Sequence, residues 1–252
     1  MKYLIFLCFI FLSSTIFSQI KDEDLVPFSK EGLSGFIDEK ENIVIEIKYK
    51  KVNYFSEGLA SVKKDSKWGF IDKKGNVVID FKYDYAGSFA EGLARVKKDG
   101  KFGFVNQKGD EVIDFKFINA WDFNEGFSRV SDGEKYTFIN KQGDLLTGFI
   151  FDDVVSFSEG MAEVKHNFLW GYIDRDGTVV IPYQFEQSWL FSEGAAKVMN
   201  NNLWGYINKE GLLIVPFQFD QAYSFDEGIA KVRKKKKEFY IDKSGICVKG
   251  CN

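Results

Sequence analysis

Apolar and polar residues alternate in short runs along the chain, and a period of two residues predicts β-strands. In one such run, Ala60 and Val62 point to one face while Ser61 and Lys63 point to the other, as in a half-buried strand. No segment keeps an apolar spacing of three and four residues long enough to predict an amphipathic helix. The pattern therefore predicts a protein that is almost entirely β.

Two further strands are predicted directly after this run. Trp68 and Phe70 share one face of the second strand, and the continuous apolar run Val77–Ile79 favours a third strand that is covered on both faces. Between these strands, Asp72 and then Gly75 are typical of a tight turn in which the glycine adopts a left-handed conformation. The stretch therefore predicts a unit of three antiparallel strands.

This unit recurs at a fixed period of 34 residues without any insertion. A Glu-Gly pair marks each copy, with its glycine at Gly58, Gly92, Gly126, Gly160, Gly194 and Gly228. A phenylalanine precedes each pair, at Phe55, Phe89, Phe123, Phe157, Phe191 and Phe225. A shared register over so many copies is the signature of a repeat architecture.

One unit of this length cannot bury its aromatic face alone, so each copy is expected to lie against the next. We predict an all-β fold in which tandem 34-residue, three-stranded repeats stack in an open twisted array over residues 28–252. About seven units fit this span, with both end units incomplete. The first unit begins near Phe28 and keeps Gly35 but lacks the first segment of the motif. A closed β-propeller is the alternative, because a strand from elsewhere could complete the first unit.

Several segments resemble the WG (or KWG) repeat of bacterial proteins. The resemblance rests on KWGFID at Lys67–Asp72, LWGYID at Leu169–Asp174, LWGYIN at Leu203–Asn208 and FSEGLA at Phe55–Ala60, and it extends over about Phe28 to Val248. It implies an interaction module of variable copy number, without catalytic residues to carry over. Because an open stack can grow and a ring cannot, variable copy number favours the open array.

The motif pairs are Trp68-Gly69, Trp170-Gly171 and Trp204-Gly205. We interpret their tryptophans as packing residues rather than ligand contacts. A side chain at the glycine would obstruct the neighbouring strand or ring. Two units depart from the motif, at Tyr136-Thr137 and Glu238-Phe239, and close approach of the strands is least expected there.

The N-terminus follows a different pattern. After Met1 and Lys2, an apolar run spans Tyr3–Leu12 and gives way to small and polar residues. This is typical of a secretory signal peptide, and a membrane span would need about 20 apolar residues. We expect a signal peptide at 1–18, a linker at 19–27, and no stable membrane span after cleavage. The mature protein would then reside in the periplasm, on the cell surface or outside the cell.

Charge and composition argue against several classes of function. The net charge is −3, whereas proteins that bind nucleic acid are usually basic, so no nucleic acid is expected as a partner. The single histidine, His166, occupies a variable turn position. The glutamates of the Glu-Gly pairs recur in every unit, whereas a catalytic pair should be singular. We therefore expect no enzyme activity, no metal site and no cofactor.

Lysines cluster in the turns between the first and second strands of several units. The candidates for binding are Lys63, Lys64, Lys97, Lys98, Lys234 and Lys235. Stacking would align them along one edge of the array, where an anionic glycan or a membrane surface could bind. Alternatively, they form solvated turns that discourage strand-to-strand aggregation.

A second candidate feature is a position whose residue type changes from unit to unit, at Gly87, Trp121, Val155, Trp189 and Tyr223. If exposed, Trp121, Trp189 and Tyr223 would form an aromatic ladder able to stack on sugar rings or to anchor a protein. If buried, they are variable packing residues. The hypotheses for function are thus a module that binds another protein and, as the alternative, one that binds carbohydrate or cell wall.

Two cysteines, Cys247 and Cys251, remain after cleavage at the predicted site. Four residues of straight strand span about 13 Å, whereas a disulfide needs Cα atoms within about 7 Å. The two therefore pair only if the tail folds back, and otherwise they are incidental thiols.

Overall fold

The computed structural model describes residues 25–251, and every regular element in this part of the chain is a β-strand. Within these residues, no helix is long and apolar enough to cross a membrane. The predicted signal peptide and most of the predicted linker lie outside the described residues.

The strands form seven separate antiparallel sheets, numbered here in chain order. Sheet 1 contains β1 (Val26–Lys30), β2 (Leu33–Ile37) and β3 (Ile43–Tyr49), and sheet 2 contains β4 (Lys51–Val52), β5 (Leu59–Lys64), β6 (Lys67–Asp72) and β7 (Val77–Tyr83). Sheet 3 contains β8 (Tyr85–Ala90), β9 (Leu93–Lys98), β10 (Lys101–Asn106) and β11 (Glu111–Phe117), and sheet 4 contains β12 (Asn119–Ala120), β13 (Ser128–Ser131) and β14 (Tyr136–Ile139). Sheet 5 contains β15 (Asp153–Ser158), β16 (Met161–His166), β17 (Leu169–Ile173) and β18 (Val179–Phe185). Sheet 6 contains β19 (Gln187–Ser188), β20 (Ala195–Asn200), β21 (Leu203–Asn208) and β22 (Leu213–Phe219), and sheet 7 contains β23 (Gln221–Ala222), β24 (Ala230–Lys234), β25 (Lys237–Ile241) and β26 (Cys247–Lys249).

The all-β array of tandem units is confirmed, and most sheets gain one strand beyond the predicted three. The extra strand is the link between units, which turns back along the first predicted strand. In sheet 2, Lys51 pairs with Lys63 and Val52 pairs with Val62. Two paired residues in a polar link are too few to show an apolar period, so the sequence pattern does not predict this strand.

The first unit is more complete than its sequence motif suggests. β1 pairs with β2 along its whole length, from Val26 opposite Ile37 to Lys30 opposite Leu33. The unit therefore has a first strand although its sequence lacks the FSEGLA segment, and its sheet has three strands where most of the described sheets have four. β1 also begins two residues before the predicted start of the array at residue 28.

The sheets do not close into a ring through shared strands. Within residues 25–251, every ladder joins strands of one sheet, and sheet 1 keeps the order β1-β2-β3 without a strand from elsewhere. The main contacts between sheets join each sheet to the next along the chain. The described sheets therefore follow one another as a tandem array of separate open sheets, as predicted, and no shared strand closes them into a ring.

The hydrophobic core lies between consecutive sheets rather than inside any one of them. Phe70 of sheet 2 meets Phe89 of sheet 3 with ring centroids 4.9 Å apart. The same ring pair recurs at every junction, as Phe36–Phe55, Phe104–Phe123, Phe138–Phe157, Tyr172–Phe191 and Tyr206–Phe225. Each pair joins the second long strand of one unit to the phenylalanine of the next Glu-Gly motif. The repeated phenylalanine is thus the contact through which each unit obtains an interior.

The glycine of the Trp-Gly pair lets two strands of one sheet approach closely. A Cβ added at Gly69 would lie 2.5 Å from the carbonyl oxygen of Ile79, which no side chain tolerates. In sheet 4 the equivalent residue is Thr137, and this sheet lacks the outer strand that the other repeats place there. The Thr137 hydroxyl instead donates to the carbonyl of Thr147 at 3.0 Å. Close approach is lost at one of the two units where the sequence departs from the motif.

The third predicted strand is less covered than expected. Val77 and Val78 are exposed, and only Ile79 is buried. β7 is the edge strand of sheet 2, so the start of this strand lies outside the contact with the next sheet. A continuous apolar run alone does not distinguish such an edge strand from one covered on both faces.

Candidate functional site

The glutamates of the Glu-Gly pairs connect each unit to the next. The carboxylate of Glu57 accepts a hydrogen bond from the backbone N–H of Gly92 at 3.0 Å. The same bond recurs from Gly126 to Glu91, from Gly160 to Glu125, from Gly194 to Glu159 and from Gly228 to Glu193. A charged side chain of the next unit also reaches four of these carboxylates, in the pairs Lys141–Glu91, Arg175–Glu125, Lys209–Glu159 and Lys243–Glu193, and Gln107 reaches Glu57 in the same way. These carboxylates are therefore structural links, and the candidate site lies elsewhere.

A second set of side chains reaches across the junctions from the first long strand of each unit. Arg95 donates to the carbonyl of Ala120 at 2.8 Å, and Lys197 donates to the carbonyl of Ala222 at 2.9 Å. Arg129 makes the equivalent bond to Val154 at 3.0 Å. Because these cations are anchored to the backbone of the following unit, their charges are fixed in position beside the variable aromatic position.

The variable aromatic position is exposed in two units and covered in a third. Trp189 is 54% exposed and Tyr223 is 51% exposed, and they occupy equivalent places before the first long strands of sheets 6 and 7. Trp121 is only half-exposed, because the guanidinium of Arg129 lies 4.1 Å from its ring centroid. Val155 separates Trp121 from Trp189 in the repeat order. The expected three-ring ladder is thus reduced to Trp189 and Tyr223, which we call the aromatic pair.

Lys197 lies against both members of the aromatic pair. Its ammonium is 4.6 Å from the ring centroid of Trp189 and 5.8 Å from that of Tyr223. Burial lowers the pKa of Lys197, and its attraction to Glu163 acts in the opposite sense. The cation covers part of each ring while the remaining ring surface stays open, so the pair offers flat apolar surface next to a fixed positive charge.

A buried carboxyl group lies beneath this surface. Glu163 is 3% exposed, and the Ser188 hydroxyl donates to its carboxylate at 2.6 Å. The Tyr172 hydroxyl donates to the carbonyl of Trp189 at 2.8 Å. Burial raises the pKa of Glu163 to about 7. The carboxyl group of Glu163 therefore changes charge close to neutral pH. Its hydrogen-bond partner, Ser188, directly precedes Trp189.

The sequence interpretation did not single out Glu163, although a signal was present. Equivalent positions in the other long first strands hold Ser61, Arg95, Arg129, Lys197 and Lys231. Glu163 is the acidic residue at this repeat position, where four of the other five units have a cation. Its position in a repeat would have predicted an unusual contact at the junction of sheets 5 and 6.

The lysine turns do not form a continuous edge. In sheets 2 and 3, Lys64 and Lys98 each lie over a phenylalanine ring, and Lys98 also pairs with Glu111 at 3.6 Å. Lys63, Lys97, Lys234 and Lys235 lie in the same strands and turns of sheets 2, 3 and 7. The intervening sheets place Asp132, His166 and Asn200 at the position of Lys64. The candidate lysines are therefore divided between the two ends of the array.

The motif tryptophans lie where packing residues are expected. Trp68 and Trp204 are buried, and Trp170 is half-buried. Gly171 and Gly205 repeat the contact of Gly69, with an added Cβ lying 2.5 Å and 2.7 Å from the carbonyl oxygens of Ile181 and Val215.

The last sheet is closed by a disulfide. Cys247 and Cys251 are bonded with their Cα atoms 5.8 Å apart, because the tail folds back after β26. Within residues 25–251, no group of three or more His, Cys, Asp or Glu side chains has the arrangement of a metal site.

Comparison with known folds gives a distant likeness. The chain is similar to the crystal structure of a eukaryotic initiation factor, with a TM-score of 0.56, 10% identity, and coverage of 89% of this chain and 72% of that one. It is also similar to Hsv2p of Kluyveromyces lactis, with a TM-score of 0.43, 10% identity, and coverage of 77% and 74%. At such identities only the first likeness bears on the fold, and neither bears on function. Comparison with curated protein sequences gives no match.

The model of one repeat family matches most of the array. The matched copies are residues 35–68, 68–102, 102–136, 136–167, 170–204 and 204–237, and the family is described as the WG containing repeat. These copies follow the 34-residue period and cover well over half of the sequence. The chain belongs to the WG repeat family.

Proposed function

We propose that this protein is an exported, non-enzymatic repeat scaffold that binds another protein in the bacterial envelope through the aromatic pair. The observation that carries the proposal is the exposure of Trp189 and Tyr223 at equivalent places in consecutive units. Other aromatic rings of the repeat are buried at the junctions, such as Phe191 and Phe225 beside the pair. Rings left open next to these junctions suit contact with a partner.

The chemistry of the pair favours a protein partner. Tryptophan and tyrosine are enriched among the residues that contribute most to protein interfaces, because they bury a large area at low cost in conformational entropy. Lys197 is fixed by its bond to Ala222, so the charge beside the rings is already in position for an acidic group. We therefore expect a partner surface with an apolar centre and at least one carboxylate.

A carbohydrate or cell-wall ligand is the second candidate. The open ring faces of Trp189 and Tyr223 could stack on sugar rings, and Lys197 could pair with an acidic sugar. Export supports both candidates, since the sequence of residues 1–18 has the pattern of a secretory signal peptide. Identifying the bound ligand, a protein or a carbohydrate, distinguishes the two candidates.

Affinity capture from envelope extract tests the proposal. The mature chain and the Trp189→Ala/Tyr223→Ala variant are immobilised, and Tyr54→Ala removes an exposed aromatic residue outside the pair as the matched control. We expect a protein that binds the mature chain and the control but not the double variant. Its affinity is then measured by calorimetry with the purified partner.

Other results would contradict parts of this proposal. Binding to isolated peptidoglycan or to a glycan array that is lost in the double variant would support the carbohydrate module instead. A partner that binds the double variant as well as the mature chain would place the interface elsewhere. Secretion is tested separately by locating the mature protein after cell fractionation, and cytoplasmic retention would contradict export.

A further inference from the structure

The hairpin turn of sheet 5 presents an exposed aromatic residue in a strained conformation. Phe168 is 85% exposed, and its φ of 70° lies in the left-handed region that large side chains avoid. The corresponding turn positions in sheets 3 and 6 hold Gly100 and Asn202, which adopt this conformation more readily. The equivalent Lys236 of sheet 7 has a φ of 68°, so the two-residue turn itself imposes this conformation. The unburied ring, in contrast, is not explained by packing within the chain.

Hydrogen bonds to a neighbouring side chain hold the backbone of this turn in place. The carboxylate of Asp152 accepts hydrogen bonds from the backbone N–H groups of Asn167 and Phe168. Asp152 is itself paired with Lys135 of sheet 4. A ring presented on a fixed turn loses little conformational freedom when it is buried by a partner, which suits it to act as an anchor.

Two further apolar side chains are exposed near the turn. Leu169, the next residue, is exposed, and Ile150 is exposed on the neighbouring segment. This segment is fixed beside the hairpin, because a ring nitrogen of His166 lies 3.3 Å from the Ile150 carbonyl oxygen. Phe168, Leu169 and Ile150 together form what we call the knob.

An apolar cleft is lined in part by Phe149, the residue before Ile150 of the knob. It has a volume of about 240 Å³ and is lined by Phe117, Leu145 and Phe149, with Lys116 and Asp132 at its rim. An apolar cavity of roughly 150 Å³ is large enough to bind benzene, so this cleft can take the ring of a phenylalanine. It lies where sheet 4 lacks a regular outer strand: Leu145 makes a single bridge to Ile139, and Phe149 lies in no strand.

The knob and the cleft are connected on the surface at two points. Phe149 of the cleft directly precedes Ile150 of the knob. Asp132 lies in the same turn as Lys135, which pairs with Asp152 beneath Phe168. A projection and a cavity on one surface can each meet the other on a second copy under a twofold rotation.

We propose that the protein forms a twofold symmetric homodimer in which Phe168 of each copy inserts into the Phe117–Leu145–Phe149 cleft of the other. A second copy is the occupant that the surface itself specifies, since both halves of the contact are present in one chain. The polar rims are complementary in the same way, because each copy brings a cation, Lys116, and an acid, Asp132, to the border of the contact. The dimer leaves Trp189 and Tyr223 outside the contact and is independent of the proposed partner.

Analytical ultracentrifugation of the mature chain over a concentration series tests the dimer. Phe168→Asn removes the ring and supplies a residue that tolerates the left-handed conformation, as Asn202 does in sheet 6. Leu145→Glu places a charge in the cleft, and Tyr54→Asn removes an exposed aromatic residue of sheet 2 as the matched control. We expect the mass of the mature chain and of the control to rise from one chain to two, whereas both other variants remain at one chain.

A mixture of the two monomeric variants tests directly whether Phe168 of one copy binds the cleft of the other. Phe168→Asn keeps an intact cleft and Leu145→Glu keeps an intact knob, so the mixture should form a mixed dimer through one remaining contact. Circular dichroism and thermal unfolding show whether each variant is folded. At a concentration where the mature chain is also a single chain, Phe168→Asn should unfold at a temperature no lower than the mature chain. A mature chain that stays at one chain mass, dimers that persist in Phe168→Asn, or growth beyond two chains would each overturn the proposal.

Discussion

The carboxylate of Glu125 lies 2.9 Å from the backbone nitrogen of Gly160, although the two residues are 35 positions apart in the chain. The same carboxylate also accepts the N–H of Glu159 at 2.7 Å, and Arg175 lies beside it. A side chain that the sequence places in a turn is therefore a bond between neighbouring units. Its recurrence at the 34-residue period means that the array is joined by polar links as well as by stacked rings.

Removal of one such link should destabilise the array. Glu125→Ala leaves the N–H groups of Glu159 and Gly160 without their carboxylate, and we expect the free energy of unfolding to fall by about 1–2 kcal/mol, since these hydrogen bonds are charge-assisted but partly exposed. Urea unfolding followed by tryptophan fluorescence measures the change. Glu46→Ala is the control, because Glu46 pairs only with Lys48 on the surface of β3 and its loss should change stability by less than about 0.5 kcal/mol. Equal losses in the two variants would contradict a special role for the links.

The glycine of the Trp-Gly pair should not tolerate even a methyl group. In Gly171→Ala, the added Cβ would lie 2.5 Å from the carbonyl oxygen of Ile181, so β17 and β18 must separate. We expect a loss of about 3 kcal/mol in the free energy of unfolding, in the range of overpacked interiors. Gly148→Ala is the matched control, because its nearest neighbour is a methyl group of Ile150 at 3.7 Å. A stable Gly171→Ala variant would show that the close approach is not required.

Stability should fall between mildly acidic and neutral pH because of Glu163. Its pKa is raised from 4.5 to about 7 by burial, so in this interval the folded chain holds a proton that the unfolded chain releases. The contribution of the protonated form is therefore complete below about pH 4.5 and is lost as pH rises through 7. Ser188, Tyr172, Lys197 and Asp153 are the polar and charged groups around it.

Glu163→Gln isolates this effect, since glutamine keeps the shape and the bond to Ser188 but does not titrate. We expect the variant to be more stable than the mature chain at pH 8 by up to about 3 kcal/mol, and to differ little from it at pH 4.5. Urea unfolding of both proteins across this range measures the difference. A constant difference between the two proteins at every pH would show that Glu163 is already charged in the folded state.

Reduction of the disulfide should loosen only the end of the array. The bond between Cys247 and Cys251 closes a short loop, for which chain entropy gives a stabilisation of about 2 kcal/mol. We expect reductant to speed hydrogen exchange in β25 and β26 while β5 and β6 remain unchanged, because the main contacts of each sheet are with the sheets next to it along the chain. The Cys247→Ser/Cys251→Ser variant should show the faster exchange with or without reductant. Faster exchange throughout the array would indicate instead that the units unfold together.

Much of the fold follows from local spacing, and what the sequence does not reveal depends on contacts between units. The role of Gly69 is predictable because the strand that excludes a side chain follows within the same unit. The cover over Trp121 is not, because Arg129 can fold onto the ring only once the following unit fixes its guanidinium through Val154. The exposure of Val77 could not be predicted either, since an apolar run in the sequence does not show that β7 is an edge strand.

The candidate site shows the same division. Comparison of equivalent positions identifies Trp189 and Tyr223, and both are exposed. Their arrangement around Lys197 could not be predicted, because the bond to Ala222 that holds the lysine reaches into the next unit. Phe168 is visible in the sequence as an unusual turn residue, but only the backbone angle and the exposure of its ring make it a candidate anchor.

Unfolding measured against the number of units tests the central claim most directly. The claim is that the interior of this protein lies between units, so one unit has no core of its own. A peptide of residues 51–84 should show no cooperative unfolding transition, whereas arrays lengthened one 34-residue unit at a time should gain both unfolding free energy and urea dependence with each unit. A single unit that unfolds cooperatively by itself, or a stability that does not increase with added units, would contradict the account.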